Sequence, residues 1–386
     1  MEERIVSPRT QASAERQVII MGFLTKKGVL TTPLYCTFAV LVLLLTACAG
    51  GTNATTSTPS SATNTPTSSS NQYGIATLNG WQLSLFASGT SAYSHPDSSV
   101  VDGDHVFLDY QNSTAKDGSD GLTSTIVEYT MDGKVVKTFT ASGHSDGMRM
   151  DPTTKLLWVV SNEDGNPKLE TIDPATGTVT PYAFPTTPHS GGYDDVYFLN
   201  GSTFISASAP KLDKNGNNPF PAIDKITLSN GKAVLTPILM GNAEVTDSTA
   251  GANNAKVTLN MTDPDSLSTD GKGNLVLIDQ GDSQMIMLTN PGTPQQKASR
   301  LTVGSQLDDT VWATSKHGRL LVVDGSTDKT FWLSLPEYNV GTVYTQTPDD
   351  SGVIGMIGVV DMSAGFVKPI AIGFSKPTGM LFVPSN

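Results

Sequence analysis

Cysteine is nearly missing from this 386-residue chain, and its two examples, Cys36 and Cys48, both fall before residue 50. Whatever folds beyond them has no disulfide and must be held by its core alone. Helical periodicity is missing as well: past Tyr73 no long stretch keeps the apolar spacing of an amphipathic helix. Basic charge is scarce, with 24 Lys and Arg against 36 Asp and Glu and a net charge of −12. Such a surface disfavours nucleic acid and anionic lipid; it suits cations or neutral ligands, and also serves plain solubility. There is no phosphate loop, dinucleotide fingerprint, CxxC pair or basic-aromatic patch, so the usual nucleotide- and nucleic-acid-handling motifs are excluded.

What the chain does have begins with an export pattern. Lys26 and Lys27 flank an apolar run from Leu34 to Leu45. That run is shorter than the about 20 residues of a membrane span and ends in small residues rather than a basic stop-transfer flank. Leu45-Thr46-Ala47-Cys48 closes it, and a Ser/Thr/Pro tract follows to about Gln72. This stretch resembles the lipobox of bacterial lipoproteins at all four positions. The resemblance implies that 1–47 is a signal segment and that Cys48 receives a diacylglycerol thioether. The mature protein would then be extracytoplasmic, anchored to the outer face of the membrane by its lipid. Met21 is a natural start for such a signal. Removal of 1–47, with five basic and three acidic residues, would leave a net charge of −14. Ala49 rather than Asp follows the cysteine, which gives no argument for inner-membrane retention. Residues 48–72 hold almost nothing apolar and are expected to be a disordered linker, about 25 Å long on average and about 70 Å when extended.

From 73 to 386 the sequence reads as all-β, with Gly, Pro, Asp and Asn punctuating short Val, Ile, Leu, Phe, Tyr and Trp runs. A degenerate repeat organises it. HPDSSVVD from His95, HSDGMRMD from His144, GYDDVYFL from Gly192, DPDSLSTD from Asp263, LDDTVWAT from Leu307 and KPTGMLFV from Lys376 share strand alternation. Their third positions are Asp97, Asp146, Asp194, Asp265, Asp309 and Thr378. A second strand follows most of them, such as His105–Leu108, Leu156–Val160, Thr203–Ile205, Leu275–Ile278 and Leu320–Val323. Third strands end in tight turns at Asp132-Gly133 and Asp173–Gly177. A four-stranded meander cannot bury both faces alone; radial packing of six such units, a β-propeller, solves this. Long intervals imply insertions near 211–222 and 336–355. The last blade is expected to combine Thr378–Pro384 with Ile75–Leu78 and Trp81–Phe86 from the other end of the domain.

HSDGMRMDPTTKLLWVV and KLETIDPATGTV resemble NHL-type and SMP-30/gluconolactonase-like six-bladed propellers. In SMP-30-like lactonases the Asp of the matching "DGM" motif is a metal ligand, which the resemblance carries to Asp146. The family's "EGP" and "NGL" ligand motifs do not occur here. If each repeat opens on the innermost strand, Asp97, Asp146, Asp194, Asp265 and Asp309 converge at one tunnel mouth. Their repulsion would favour a hard cation such as Ca²⁺ or Mg²⁺ or raise their pKa values. The alternative is that they accept backbone amides at strand starts.

His95, His144 and His189 are candidate metal ligands or general bases on the same rim; the streptogramin-inactivating lyases, propellers of this kind, rely on a rim histidine. Gly143–Gly147 matches G-x-S-x-G, but strand residues follow where a nucleophile elbow needs a helix. Asp213, Asn215, Asn217 and Asp224 have the spacing of positions 1, 3, 5 and 12 of a calcium loop. Asn162-Glu163-Asp164 is either polar rim or ligand contact. The reading is a module binding a small molecule, a protein or a cell-wall ligand, or else a metal-dependent hydrolase or lyase working at the tunnel mouth.

Overall fold

Six sheets arranged around one axis make this chain a six-bladed β-propeller. The computed structural model describes residues 69–348, 352 and 354–385, and among these the only helical element is a 3-10 turn at Gly325–Thr327. The expected signal segment and Cys48 lie outside the described residues. So does most of the expected linker, although its end, Ser69–Ser70, pairs with Ala76–Thr77.

Blades 1 to 4 are sequential antiparallel meanders running from the axis outward. Blade 1 holds Pro96–Asp102, His105–Tyr110, Thr123–Thr130 and Val135–Ser142. Blade 2 holds Ser145–Met150, Leu157–Ser161, Lys168–Ile172 and Val179–Tyr182, and blade 3 Tyr193–Leu199, Ser202–Ala207, Pro221–Ser229 and Lys232–Met240. Blade 4 holds Pro264–Thr269, Leu275–Asp279, Gln284–Thr289 and Lys297–Thr302, and a hairpin, Glu244–Asp247 with Lys256–Thr258, extends its outer edge.

Blades 5 and 6 exchange strands. Blade 5 is Thr310–Trp312, Val343–Thr347, Gly355–Asp361 and Phe366–Phe374, edged by Ala76–Thr77. Blade 6 is Pro377–Pro384, Gly318–Asp324, Lys329–Ser334 and Gln82–Ser88. Two expectations are corrected here. Leu320–Val323 is the second strand of blade 6, not of the blade that opens at Leu307. The stretch 336–355, expected to be an insertion, supplies blade 5 with its second strand. Sequence order assigns a strand to its nearest unit by default, and here the chain crosses to the next blade and returns. The N-terminal part of the domain is divided in the same way: Gln82–Ser88 closes blade 6, while Ala76–Thr77 edges blade 5.

The core is six apolar layers, one between each pair of neighbouring blades. Val100, Phe107, Met148, Leu157 and Val159 fill the first. Phe86, Tyr129, Leu321 and Trp332 fill the last, between blades 6 and 1. Alternation along each strand sends side chains to both sides, so every blade buries its faces against two others. This closure around the ring replaces the disulfides that the domain lacks.

Candidate active site at the tunnel mouth

The innermost strands form a ring in which each packs against the next. Register slips at the start of these strands, between Pro96 and Ser99, Ser145 and Met148, Tyr193 and Val196, and Pro264 and Leu267. Each slip is a β-bulge, which re-aims the residues inside it. Asp97, Asp146, Asp194 and Asp265 sit in these bulges and line a cavity of about 290 Å³ at the mouth. The strands approach so closely that a side chain on Gly147 would meet the Asp194 carbonyl oxygen at 2.3 Å, and one on Gly379 the Asp97 carbonyl oxygen at 2.0 Å. Only glycine fits there.

A second set of aspartates builds the frame. Asp109 accepts from the Ser98 amide at 2.5 Å and from Ser145 Oγ at 2.8 Å. Asp279 accepts from the Asp263 amide, and Asp324 from the amides of Ser375 and Lys376. These residues end second strands and fasten the loops that lead into inner strands. Backbone capping, the alternative reading of the repeat aspartates, is thus done largely by others. Ser145 is committed to the frame through Asp109 and is followed by the strand Ser145–Met150, so the G-x-S-x-G match is no nucleophile elbow.

In blade 5 the ring position belongs to Asp308, one residue before Asp309. The residue two beyond each ring member is buried (Ser99, Met148, Val196, Leu267, Met380), and in blade 5 that residue is Thr310. Strand alternation then turns Asp309 toward the tunnel floor. There it accepts the Met380 amide at 2.7 Å. Burial pushes its carboxyl up to about 7, with the Arg149 charge opposing. Arg149 crosses the tunnel: its Nη2 donates to Asp195 at 2.9 Å and to the Leu267 carbonyl at 3.1 Å, and its guanidinium lies 5.3 Å from the Tyr197 ring centre.

At the mouth the lining carries Lys116 and Lys376 against eight carboxylates. Burial pushes Asp146, Asp194, Asp265 and Asp308 well above the usual carboxylate range, and mutual repulsion adds to this. Asp97 is also raised by burial, and the neighbouring Asp146 side chain lowers it while being raised in turn by Asp97. Oxygens of Asp146, Glu163 and Asp194 lie within 4.8 Å of one another. Two oxygens on opposite sides of a Ca²⁺ ion stand about 4.6–5.2 Å apart, so the separations within this all-oxygen set are of the size a hard cation spans. Lys116, on the long loop of blade 1, pairs with Glu163 at the rim. Burial pulls its pKa down, but the charge and hydrogen bond of Glu163, with the charges of Asp146 and Asp164, together raise it.

The three histidines do not form one cluster. His95 lines the cavity, exposed, with Nδ1 near Ser94 Oγ and Ser113 Oγ. His144 is buried beside it under the blade 1 loop, its Nδ1 2.9 Å from both Thr114 Oγ1 and the Thr114 carbonyl. His189 is buried against Tyr193; burial lowers its pKa to about 4, so it is neutral. The residues of the candidate calcium loop also part company. Asp213 accepts from the amides of Asn215 and Asn217 within its own exposed turn, while Asp224 is buried in the strand Pro221–Ser229, where burial raises it to about 6.

Sequence reasoning missed Asp308, Arg149 and Lys116 and left Glu163 undecided. For Glu163 a signal existed: the antiparallel second strand Leu157–Ser161 returns the chain to the end where the inner strand begins, which places its following loop at the mouth.

No family model and no curated protein matches this chain. Among solved structures it is similar to a Bacteroides caccae protein of unknown function (10% identity, 77% of this chain and 89% of that one, TM-score 0.45). It is also similar to a streptogramin B lyase (13%, 66% and 98%, 0.41) and to the periplasmic gluconolactonase of Pseudomonas aeruginosa (12%, 75% and 89%, 0.41). At such identities the function has to be read from the chain's own residues.

Proposed function

We propose that the propeller is a divalent-cation-binding module that holds a small neutral or cationic ligand at its acidic mouth, and that lipidated Cys48 keeps it outside the cell. One observation carries the reading of the site: Asp146, Glu163 and Asp194 offer three oxygens within 4.8 Å of one another, close enough for one ion to bridge. Raised carboxyl pKa values support it, since a cation relieves the repulsion that raises them. Titration calorimetry with Ca²⁺, Mg²⁺ and Zn²⁺ tests it. Ca²⁺ or Mg²⁺ is expected to bind more tightly than Zn²⁺, which prefers nitrogen and sulfur donors; the absence of heat from all three would end the proposal. For the anchor, Cys48→Ser is expected to move the protein from the membrane to the soluble fraction.

A second reading, metal-dependent hydrolysis or elimination, is favoured by the Asp97–Asp146 pair. Two neighbouring carboxyls that shift each other's pKa values in opposite directions, beside an ion site, can divide the roles of acid and base. A bound cation would supply polarisation of a substrate carbonyl. The protein would orient the substrate with Glu163 and Asp194 and hold or receive the proton at Asp97 and Asp146. Lactone turnover that is abolished by chelator and by Asp97→Asn would establish this reading over binding alone.

A further inference from the structure

The other mouth of the tunnel has the opposite character. Inner strands of all six blades end there around an open cavity of about 790 Å³, within the about 300–1,000 Å³ range of small-molecule sites. Its walls include Val101, Met150, Tyr197, Phe198, Trp312 and Phe382. Its floor is Arg149, which spends Nη2 on Asp195 and the Leu267 carbonyl while its Nε is buried without a partner. Ser268 Oγ, on another lining residue, is also buried without a partner. Unmatched buried donors of this kind are uncommon and costly.

We infer that this second mouth binds a small apolar molecule ending in an acceptor oxygen, a carbonyl or carboxylate, with its apolar body against the aromatic wall and its oxygen turned to Arg149. The choice of an acceptor follows from the charges. Arg149 is the only cationic group among the lining residues, and a ligand ammonium would be set against it. Asp195 is already held by Arg149 and by the Leu267 amide, and Asp309 accepts the Met380 amide; Asp104, the other acidic residue of the lining, is exposed to solvent on the turn after Asp102, away from the Arg149 floor. The two cavities open at opposite ends of the inner strands and share only Asp309 among their lining residues.

Calorimetry of the protein with octanamide, octanoate and octylamine provides the test. Octanamide, octanoate or both are expected to bind, with octylamine weaker by at least about tenfold; the amide and the carboxylate together separate a neutral from an anionic head. Val311→Trp, and as a second variant Val101→Trp, should each fill part of the cavity and weaken binding by about tenfold or more at an unchanged melting temperature. Silence from both acyl compounds, equal binding of the amine, or undiminished binding in a correctly folded filled variant would overturn the inference.

Discussion

Asp194 and Asp195 are neighbours in the chain and opposites in their surroundings. Asp194 faces the mouth among carboxylates, where burial and repulsion hold its proton on. Asp195 faces the tunnel floor, where Arg149 and two backbone amides stabilise its charge against burial. Asp308 and Asp309 repeat the contrast in blade 5. Strand alternation divides one Asp-Asp dipeptide between two tasks: one carboxylate is left short of positive partners, and the other locks inner strands together. Residue type alone therefore says little about whether an aspartate is frame or site; its parity along the inner strand decides.

The largest expected effect is at the floor. Asp195→Ala removes the carboxylate that Arg149 donates to and leaves only the nearby Asp309 charge, in a pair nearly closed off from solvent; removing one partner of such a pair costs about 3–5 kcal/mol. Urea unfolding should show that loss. Asp194→Asn should instead leave the metal-free protein as stable as before or more so, because it removes repulsion. Equal losses from both substitutions would erase the distinction between floor and mouth. The second effect is on binding: Asp194→Asn is expected to weaken Ca²⁺ affinity by at least about tenfold, or about 1.4 kcal/mol, in the same calorimetric titration.

A third test uses pH. A carboxyl whose folded pKa is raised keeps its proton in the fold after the unfolded chain has lost it. Its support is complete below the unfolded value of 3.8 and is lost as pH rises through the folded value, about 7 for Asp309 and higher than 3.8 for the ring. The melting temperature of the metal-free protein should fall between pH 4 and 8. Ca²⁺ should reduce that fall by binding the ionised ring, and Asp194→Asn should make the slope shallower. A flat profile without metal would mean that the mouth carboxylates do not repel one another in solution.

Much of this architecture was legible in the chain. Period-two alternation after His95, His144, Gly192, Asp263, Leu307 and Lys376 marks the six inner strands, because a strand buried against two blades needs that pattern. Less legible was the blade to which a strand belongs. Leu320–Val323 has the same apolar period in either blade, and only packing distinguishes them. At the site, Asp97, Asp146, Asp194 and Asp265 followed from the repeat, whereas Asp308 was obscured by the ambiguity of a double Asp. Arg149 and Lys116 were hidden for another reason: their roles depend on partners 46 and 47 residues away, and nothing local in the sequence reports such a pairing.

The smallest effect concerns Lys116, which pairs with Glu163 of the oxygen trio. Its ammonium pairs with Glu163 and acts electrostatically on Asp146, so it occupies part of the field that a divalent ion would use. The two compete for the same charge. Lys116→Met should therefore strengthen Ca²⁺ binding rather than weaken it. The side chain is 54% exposed, so solvent screens the competition, and an exposed pair of this kind contributes about 0.2–1 kcal/mol. A gain of about 1.4- to fivefold follows, and it should shrink as salt is added. A loss of affinity would give Lys116 the other role, that of fixing the Glu163 rotamer for the ion. In that case the mouth, like the floor, would depend on a basic residue to organise its carboxylates, and the contrast between the two would narrow to one of solvent access.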